Sequence, residues 1–174
     1  MGHYIADAYV PLHLTLNYNG QLTKQTGIHA LWESRLPELF SNSYKLYSGQ
    51  ARYIVSPVKE AFRICRSSYT SVDSVLTFER QLNLQYPSDK KYISEMRGKQ
   101  HVQNYSLEYA TAYNKKLKGM VERKMRSAIL SVGSFWFSAW VDAGQPDLDR
   151  LIKQPLSPEA KRNIKNEANR FKAK

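Results

Sequence analysis

The chain has 174 residues, of which 42% are hydrophobic and 24% are charged. These proportions exclude a disordered or collagen-like chain and provide enough apolar side chains for the core of one domain. No run of 18 apolar residues occurs, so we expect no transmembrane helix. The single cysteine, Cys65, cannot form an internal disulfide.

The charge of the chain is strongly positive. There are 26 Lys and Arg residues against 15 Asp and Glu residues, which gives +11. Such an excess is typical of proteins that bind nucleic acid, phosphate or an anionic surface. Eight basic and two acidic residues lie between positions 150 and 174, so these last 25 residues carry +6. This distribution favours a solvated basic helix over a dedicated binding site, while a contribution to holding an anionic substrate stays open.

The first elements predicted along the chain are two helices joined by a loop. The first helix runs from about Tyr4 to Pro11, since proline ends it. Residues 17–20 (Asn-Tyr-Asn-Gly) predict a turn. The second helix covers residues 28–40, and Pro37 predicts a kink or an early stop within it.

The rest of the chain also has helical patterns. Ser56 and Pro57 begin a long helix to about Leu84, whose core-facing stripe is Val58, Ala61, Phe62, Cys65, Tyr69, Val72, Val75 and Leu76. A further pattern covers residues 102–141, with possible breaks at Gly119 and Gly133 and a stop at residues 142–146. A short last helix is capped by Ser157. Because no stretch shows sustained alternation of apolar and polar residues, we predict an all-α fold.

Three of the four histidines lie within the first 29 residues. His3 and Asp7 are four residues apart, as are His29 and Glu33, so each pair lies on one face of a helix. His13 follows the predicted break of the first helix and can fold back toward the same face. Hydrolytic zinc usually has three nitrogen or oxygen ligands from the protein and one open position. His13, His29 and Glu33 form such a set, and His3 and Asp7 provide two further ligands.

Two motifs in this region resemble those of a known superfamily. The stretch from His3 to His13 is similar to the motif H-x-x-x-D-x-x-x-P-[LM]-H of the superfamily that joins bacterial zinc-dependent phospholipases C to the single-strand-specific nucleases of moulds and plants. His29-x-x-x-Glu33 resembles its second motif, H-x-x-x-[DE], and the glutamate is closer to the phospholipase branch. Residues 2–8, 32–40 and 140–148 are similar to an uncharacterised bacterial subgroup, so the resemblance covers residues 1 to about 148.

The resemblance implies an all-helical hydrolase that cuts phosphate ester bonds with three zinc ions. His13, His29 and Glu33 would hold one zinc, Asp7 would bridge the other two in a catalytic role, and His3 would bind one of that pair. The substrate would be a phosphate ester: single-stranded nucleic acid, a nucleotide or a phospholipid head group. Relatives of this kind are secreted or periplasmic, and we expect a monomer.

The sequence departs from the family in two places. Tyr9 stands where many relatives have a second histidine, and we do not count it as a ligand. The family's N-terminal ligands, which include a terminal tryptophan, a histidine and an aspartate, have no counterpart here, and no signal peptide is recognisable. We therefore expect residues 1–148 to be the C-terminal part of such a domain, without its N-terminal helices, and residues 149–174 to be a basic helical tail. One complete zinc site and a partial second site follow.

Two other interpretations of the sequence stay open. A non-catalytic helical module could use the histidines for a structural zinc and the basic tail for anionic partners. An ordinary helical core domain could contain the histidines incidentally. We expect the loop from Thr15 to Thr26 to line the cleft, with Tyr18 against a base or a lipid. Trp32 is expected in the core and His101 at the surface.

Overall fold

A computed structural model describes residues 2–98, 100–153, 155 and 157–172. The chain divides into two compact units, Met1–Ser138 and Ala139–Lys174, which are described separately. Helices make up most of the described chain, and the strands within it form one two-stranded sheet. The prediction of an all-α fold is therefore confirmed. The helices among the described residues are too short or too polar to cross a lipid bilayer.

The N-terminal segment forms two helical stretches joined by a loop of turns. Its elements are α1 (Gly2–Asp7), a 3₁₀ turn (Pro11–Leu14), α2 (Ile28–Ala30), a π turn (Leu31–Arg35) and α3 (Leu36–Phe40). Helix α1 ends at Asp7, before the proline that was predicted to end it. Helices α2 and α3 and the π turn between them are continuous, as predicted for residues 28–40.

The predicted distortion near Pro37 is the π turn. A proline within a helix has no N–H to donate, and its ring collides with the carbonyl group four residues earlier, here that of Glu33. The backbone widens over this turn, and the Leu36 N–H group bonds to the carbonyl oxygen of Leu31, five residues earlier. The helix therefore continues through Pro37.

The prediction of one long helix from Pro57 to Leu84 was wrong, because the structure has two helices there. They are α4 (Pro57–Tyr69) and α5 (Val72–Gln85), separated by a turn at residues 70–71. The predicted core stripe was also wrong in α4, where Val58 and Phe62 are 67% and 68% exposed and the buried positions are Ile64 and Ser68. In α5, Val72 and Val75 are buried as predicted.

A β-hairpin occupies the region where a helical pattern was predicted to begin. Strand β1 (Tyr92–Arg97) pairs antiparallel with β2 (Gln100–Tyr105), in a register that places Tyr92 opposite Tyr105. The prediction of helix at residues 102–105 was therefore wrong. The helix begins after Ser106, whose hydroxyl oxygen accepts a hydrogen bond from the Tyr109 N–H group and so caps it.

Helices α6 (Leu107–Leu117) and α7 (Met120–Asp142) complete the first unit and lead into the second. The chain breaks at Gly119, whose φ of 74° is left-handed, while α7 continues through Gly133. The predicted stop after Asp142 is confirmed, since Gly144 also has a left-handed φ. The second unit then contains α8 (Leu148–Lys153), which was not predicted, and α9 (Pro158–Lys172), capped by the Ser157 hydroxyl.

The core of the first unit consists of two clusters of buried side chains. The larger one is built from the helical stretch at residues 28–40, α5 and α6, and includes Leu12, Ile28, Leu31, Val75, Tyr109 and Tyr113. The smaller one joins α1, α4 and α7 through Ile5, Tyr9, Ile54, Ile64 and Phe135. Leu12 and Ile28 have no exposed surface and directly precede two of the histidines. The larger core therefore fixes the backbone at both positions.

A buried carboxylate, that of Glu79 on α5, lies within the larger cluster. It accepts hydrogen bonds from the Gln25 amide at 2.6 Å, the Lys91 ammonium at 3.0 Å and the Tyr109 hydroxyl at 2.6 Å. Burial raises the pKa of the Tyr109 phenol, and the hydrogen bond to Glu79 raises it further. The Lys91 ammonium also lies over the ring of Tyr109, 5.0 Å from its centroid. This cluster joins the loop before α2, helix α5, the start of the hairpin and α6.

We expect Glu79→Ala to lower the free energy of unfolding by about 3–5 kcal/mol, because it leaves the buried Lys91 cation without its carboxylate partner. Urea denaturation followed by circular dichroism measures the change. Asp73→Ala, at an exposed position in the same helix, is the control and is expected to cost less than about 1 kcal/mol. Equal effects of the two substitutions would contradict the structural role of Glu79.

Candidate metal centre

Three of the predicted ligands converge on one point of the first unit. His13 Nε2 lies 3.2 Å from His29 Nε2 and 3.3 Å from Glu33 Oε2, and His29 Nε2 lies 2.6 Å from the same carboxylate oxygen. One ligand atom from each residue lies within 4.8 Å of the other two. His13 comes from the 3₁₀ turn, His29 from α2 and Glu33 from the π turn.

The other nitrogen of each imidazole is held by a backbone carbonyl group. His13 Nδ1 lies 3.2 Å from the carbonyl oxygen of Asp7, and His29 Nδ1 lies 3.3 Å from that of Tyr18. A carbonyl oxygen can only accept a hydrogen bond, so each Nδ1 carries the hydrogen. In this tautomer, Nε2 is the nitrogen whose lone pair can bind a metal. Backbone carbonyls orient metal-binding histidines in the same way in known metal proteins.

These contacts place two nitrogen lone pairs and a carboxylate oxygen against one another. Without a cation or an added proton between them, the three electron-rich atoms repel each other. In a tetrahedral zinc site with bonds of about 2.0–2.1 Å, two ligand atoms lie about 3.3–3.4 Å apart. The separations of His13 from His29 and from Glu33 are close to this distance. The third, from His29 to Glu33, is shorter and suits a shared proton. The three donor atoms are thus close enough together to hold one metal ion.

The ligand side chains are open to solvent on one side. The side chains of His13 and His29 are each 27% exposed and that of Glu33 is 37% exposed. Structural zinc sites usually have four protein ligands and are closed. A site with three ligands and this exposure leaves room for a water molecule or a substrate oxygen.

The other two predicted ligands form a second, smaller group. His3 Nε2 lies 3.1 Å from Asp7 Oδ2, and Asp7 Oδ1 lies 4.0 Å from His13 Nδ1. The side chain of His3 is mostly exposed. All five predicted ligands are thus linked by contacts, because Asp7 touches both histidines and its carbonyl group orients His13. Among the described residues, this pair has no third acidic or histidine side chain that could join it in holding a metal.

The loop that contains Tyr18 is held by hydrogen bonds from its own side chains, and it positions Tyr18 beside His29. The Asn17 side chain donates to the Thr23 hydroxyl and accepts from the Leu22 N–H group, and the Asn19 side chain accepts from Gly27. Gly20 has a φ of 73°, and a Cβ atom there would lie 2.5 Å from the carbonyl oxygen of Gln25. Only glycine fits this turn without strain, so it specifies the loop.

The same loop is fixed to the core by Gln25. Its amide donates to Glu79 Oε2 at 2.6 Å and to the carbonyl oxygen of Leu76 at 2.7 Å. The carbonyl oxygen of Gln25 in turn accepts from the N–H group of Ile28, one residue before His29. Sequence reasoning missed this support. The sequence feature that could have indicated it is Glu79, a charged residue that lies at helical spacing between Val75 and Leu82, both of which are buried.

The structure also gives the surroundings of the three aromatic residues and the fourth histidine that the sequence analysis discussed. Tyr9 is buried, and its hydroxyl forms a hydrogen bond of 2.6 Å with that of Ser131. Trp32 is in the core and His101 is exposed on β2, as predicted. Tyr18 is half exposed and packs edge-on against the His29 ring.

A cavity of about 500 Å³ lies beside the ligands. Asp7 and Glu33 line it, together with mostly apolar side chains from the turn after α1, the helical stretch at residues 28–40 and α7. The sequence analysis expected a cleft lined by the loop from Thr15 to Thr26, but no described residue of that loop lines this cavity. Its α7 wall was not predicted, because α7 is distant from the histidines along the chain.

Comparison with known proteins finds no matching family model, no matching curated protein and no matching solved structure.

We expect the chain to bind about one zinc ion tightly, and His13→Ala or Glu33→Ala to weaken that binding by more than about 100-fold. Loss of partners that merely orient ligands already costs about 10–100-fold, so loss of a ligand costs more. Competition titration with a chromogenic chelator measures the affinity. His101→Ala is the control and is expected to leave it unchanged. Equal zinc affinity in the wild type and all three variants would exclude a metal site at these residues.

Proposed function

We propose that the protein is a zinc-dependent hydrolase of phosphate esters, of the phospholipase C and nuclease type. The observation that supports this most directly is the convergence of His13, His29 and Glu33 in an open, three-ligand arrangement next to a cavity. The resemblance of the two sequence motifs supports the same class. The positive charge of the chain suits an anionic substrate.

The chemistry follows from the donor set. Zinc in such a site lowers the pKa of a bound water molecule and offsets the negative charge that develops on a phosphoryl group. In hydrolysis, the water oxygen bonds to phosphorus, the bond from phosphorus to the ester oxygen breaks, and the departing alcohol takes up a proton. His13, His29 and Glu33 would hold the metal, and the carbonyl groups of Asp7 and Tyr18 orient the two imidazoles for that role.

Asp7 and His3 have a different role in this proposal. Their side chains lie 3.1 Å apart, so they can bind one cation together. Two protein ligands are fewer than the three of a typical catalytic zinc site, so this second position depends on further oxygen ligands, such as water or the substrate phosphate. We propose that His3 and Asp7 would hold a second cation weakly, and that this cation would help to offset the negative charge of the substrate phosphate.

The main alternative is a helical module with a structural zinc and a basic tail that binds anions. A structural site favours four protein ligands and little exposure. The three ligands and their exposure of 27–37% therefore favour the hydrolase.

We expect the zinc-loaded chain to hydrolyse bis(p-nitrophenyl) phosphate, and chelator or His13→Ala to lower the rate by at least about 100-fold, because both remove the metal that activates water. Asp7→Asn is expected to lower kcat while the first zinc stays bound. Release of p-nitrophenolate at 405 nm measures the rate.

His101→Ala is the matched control for the histidine change and is expected to keep full activity. Tight zinc binding with no hydrolysis would favour the structural module. Hydrolysis that persists in chelator and in His13→Ala would show that the activity comes from elsewhere.

A further inference from the structure

The cavity beside the candidate metal centre is largely apolar. Its volume of about 500 Å³ is within the range of small-molecule sites. Asp7 and Glu33 are its acidic lining residues, and both belong to the ligand groups already described. Around them the wall is formed by aliphatic and other apolar side chains, among them Val10, Pro37, Met125, Ala128, Ile129 and Val132. A group held in this cavity is therefore in reach of the metal ligands at its polar edge.

The lining is poorly suited to a nucleobase. A base stacks on an exposed aromatic face, and the aromatic residues described in the wall are Tyr9 and Trp32. They are only 9% and 3% exposed, so neither ring offers a free face. The Tyr9 hydroxyl already pairs with Ser131. Hydrogen-bonding edges of a base would meet aliphatic groups here, at the cost of leaving their polar atoms unpaired.

The cavity is also poorly suited to a phosphodiester chain. Lys124 is the cation among the described lining residues. Its ammonium donates to the Ser67 carbonyl oxygen and to the Ser68 hydroxyl, each at 3.3 Å. Burial lowers the pKa of Lys124, and the neighbouring charge of Arg123 lowers it further. A groove that follows a nucleic acid backbone needs several free cations in a row.

We propose that this cavity binds the alkyl chain of an amphiphilic phosphate ester whose phosphate lies at the metal ligands. The inference rests on the proposed hydrolase function and adds the substrate class, which is an ester of an apolar alcohol. Transfer of an alkyl chain from water into such a wall is favourable in proportion to the apolar area covered. The wall therefore selects for chain length, while the ligand cluster selects for phosphate.

The test is a series of straight-chain alkyl phosphates from butyl to octyl, used below the concentration at which they form micelles. Isothermal titration calorimetry measures their affinity for the zinc-loaded chain, with inorganic phosphate and adenosine monophosphate for comparison. We expect each added methylene to tighten Kd about threefold to fourfold until the cavity is full. Adenosine monophosphate is expected to bind no more tightly than inorganic phosphate.

Two variants connect the chain-length effect to the cavity. Ala128→Phe places a ring in the wall and is expected to abolish the gain per methylene while leaving the affinity for inorganic phosphate unchanged. Ser127→Phe, at an exposed neighbouring position outside the cavity, is the matched control and is expected to keep the gain. Ile129→Ser, at a half-exposed wall position, is a milder change that is expected to weaken octyl phosphate about fivefold.

The outcomes separate this inference from the function on which it rests. Zinc binding without any dependence on chain length overturns the inference and leaves the hydrolase proposal standing. An affinity that depends on chain length equally in the wild type and in Ala128→Phe also overturns the inference and leaves the hydrolase proposal standing. Tight binding of adenosine monophosphate that Ala128→Phe abolishes would assign the cavity to a base and overturn the inference. A chain-length dependence that persists in chelator, in a chain that binds no zinc, would support the apolar site and contradict the hydrolase.

Discussion

The candidate site depends on the convergence of two imidazole nitrogens and a carboxylate oxygen, which lie 2.6–3.3 Å from one another. His13 and His29 cannot turn away, because the Nδ1 atom of each is bonded to a backbone carbonyl oxygen. Glu33 lies one helical turn after His29 and shares its face. A divalent cation bound at this point would use all three atoms as ligands. The site is thus prepared by its surroundings before a metal arrives, which lowers the cost of binding.

The surroundings achieve this by fixing the backbone on both sides of the ligands. Leu12 and Ile28 are fully buried one residue before His13 and His29. The loop between them is bonded to the core through Gln25 and the buried carboxylate of Glu79. Because Glu79 also accepts hydrogen bonds from Lys91 and Tyr109, one carboxylate contacts the loop before α2, the residue before the hairpin and α6. The candidate ligands are therefore held by a backbone that is anchored in the larger core.

The sequence predicted which candidate ligands lie together better than it predicted the residues that support them. Spacing of four residues in a helix is a local property, so the pairs His3–Asp7 and His29–Glu33 were correct on the backbone alone. The hairpin was missed because its pairing depends on contacts with other elements, such as the Arg35 side chain, which donates to the Tyr105 carbonyl oxygen. The stripe predicted on α4 was wrong because its buried face includes Ser68, a polar residue that a pattern of apolar side chains does not mark. The cavity needed the packing of α7, which no local pattern contains.

The proposed hydrolase joins these features, with a metal held at the edge of an apolar cavity. Zinc K-edge X-ray absorption of the zinc-loaded chain tests the central claim most directly, because it counts the atoms bound to the metal. Two imidazole nitrogens and one or two oxygens are expected at about 2.0–2.2 Å from the tightly held zinc, with one imidazole lost in His13→Ala. A zinc bound to sulfur, to fewer than two imidazoles, or to the same ligands in His13→Ala would contradict it.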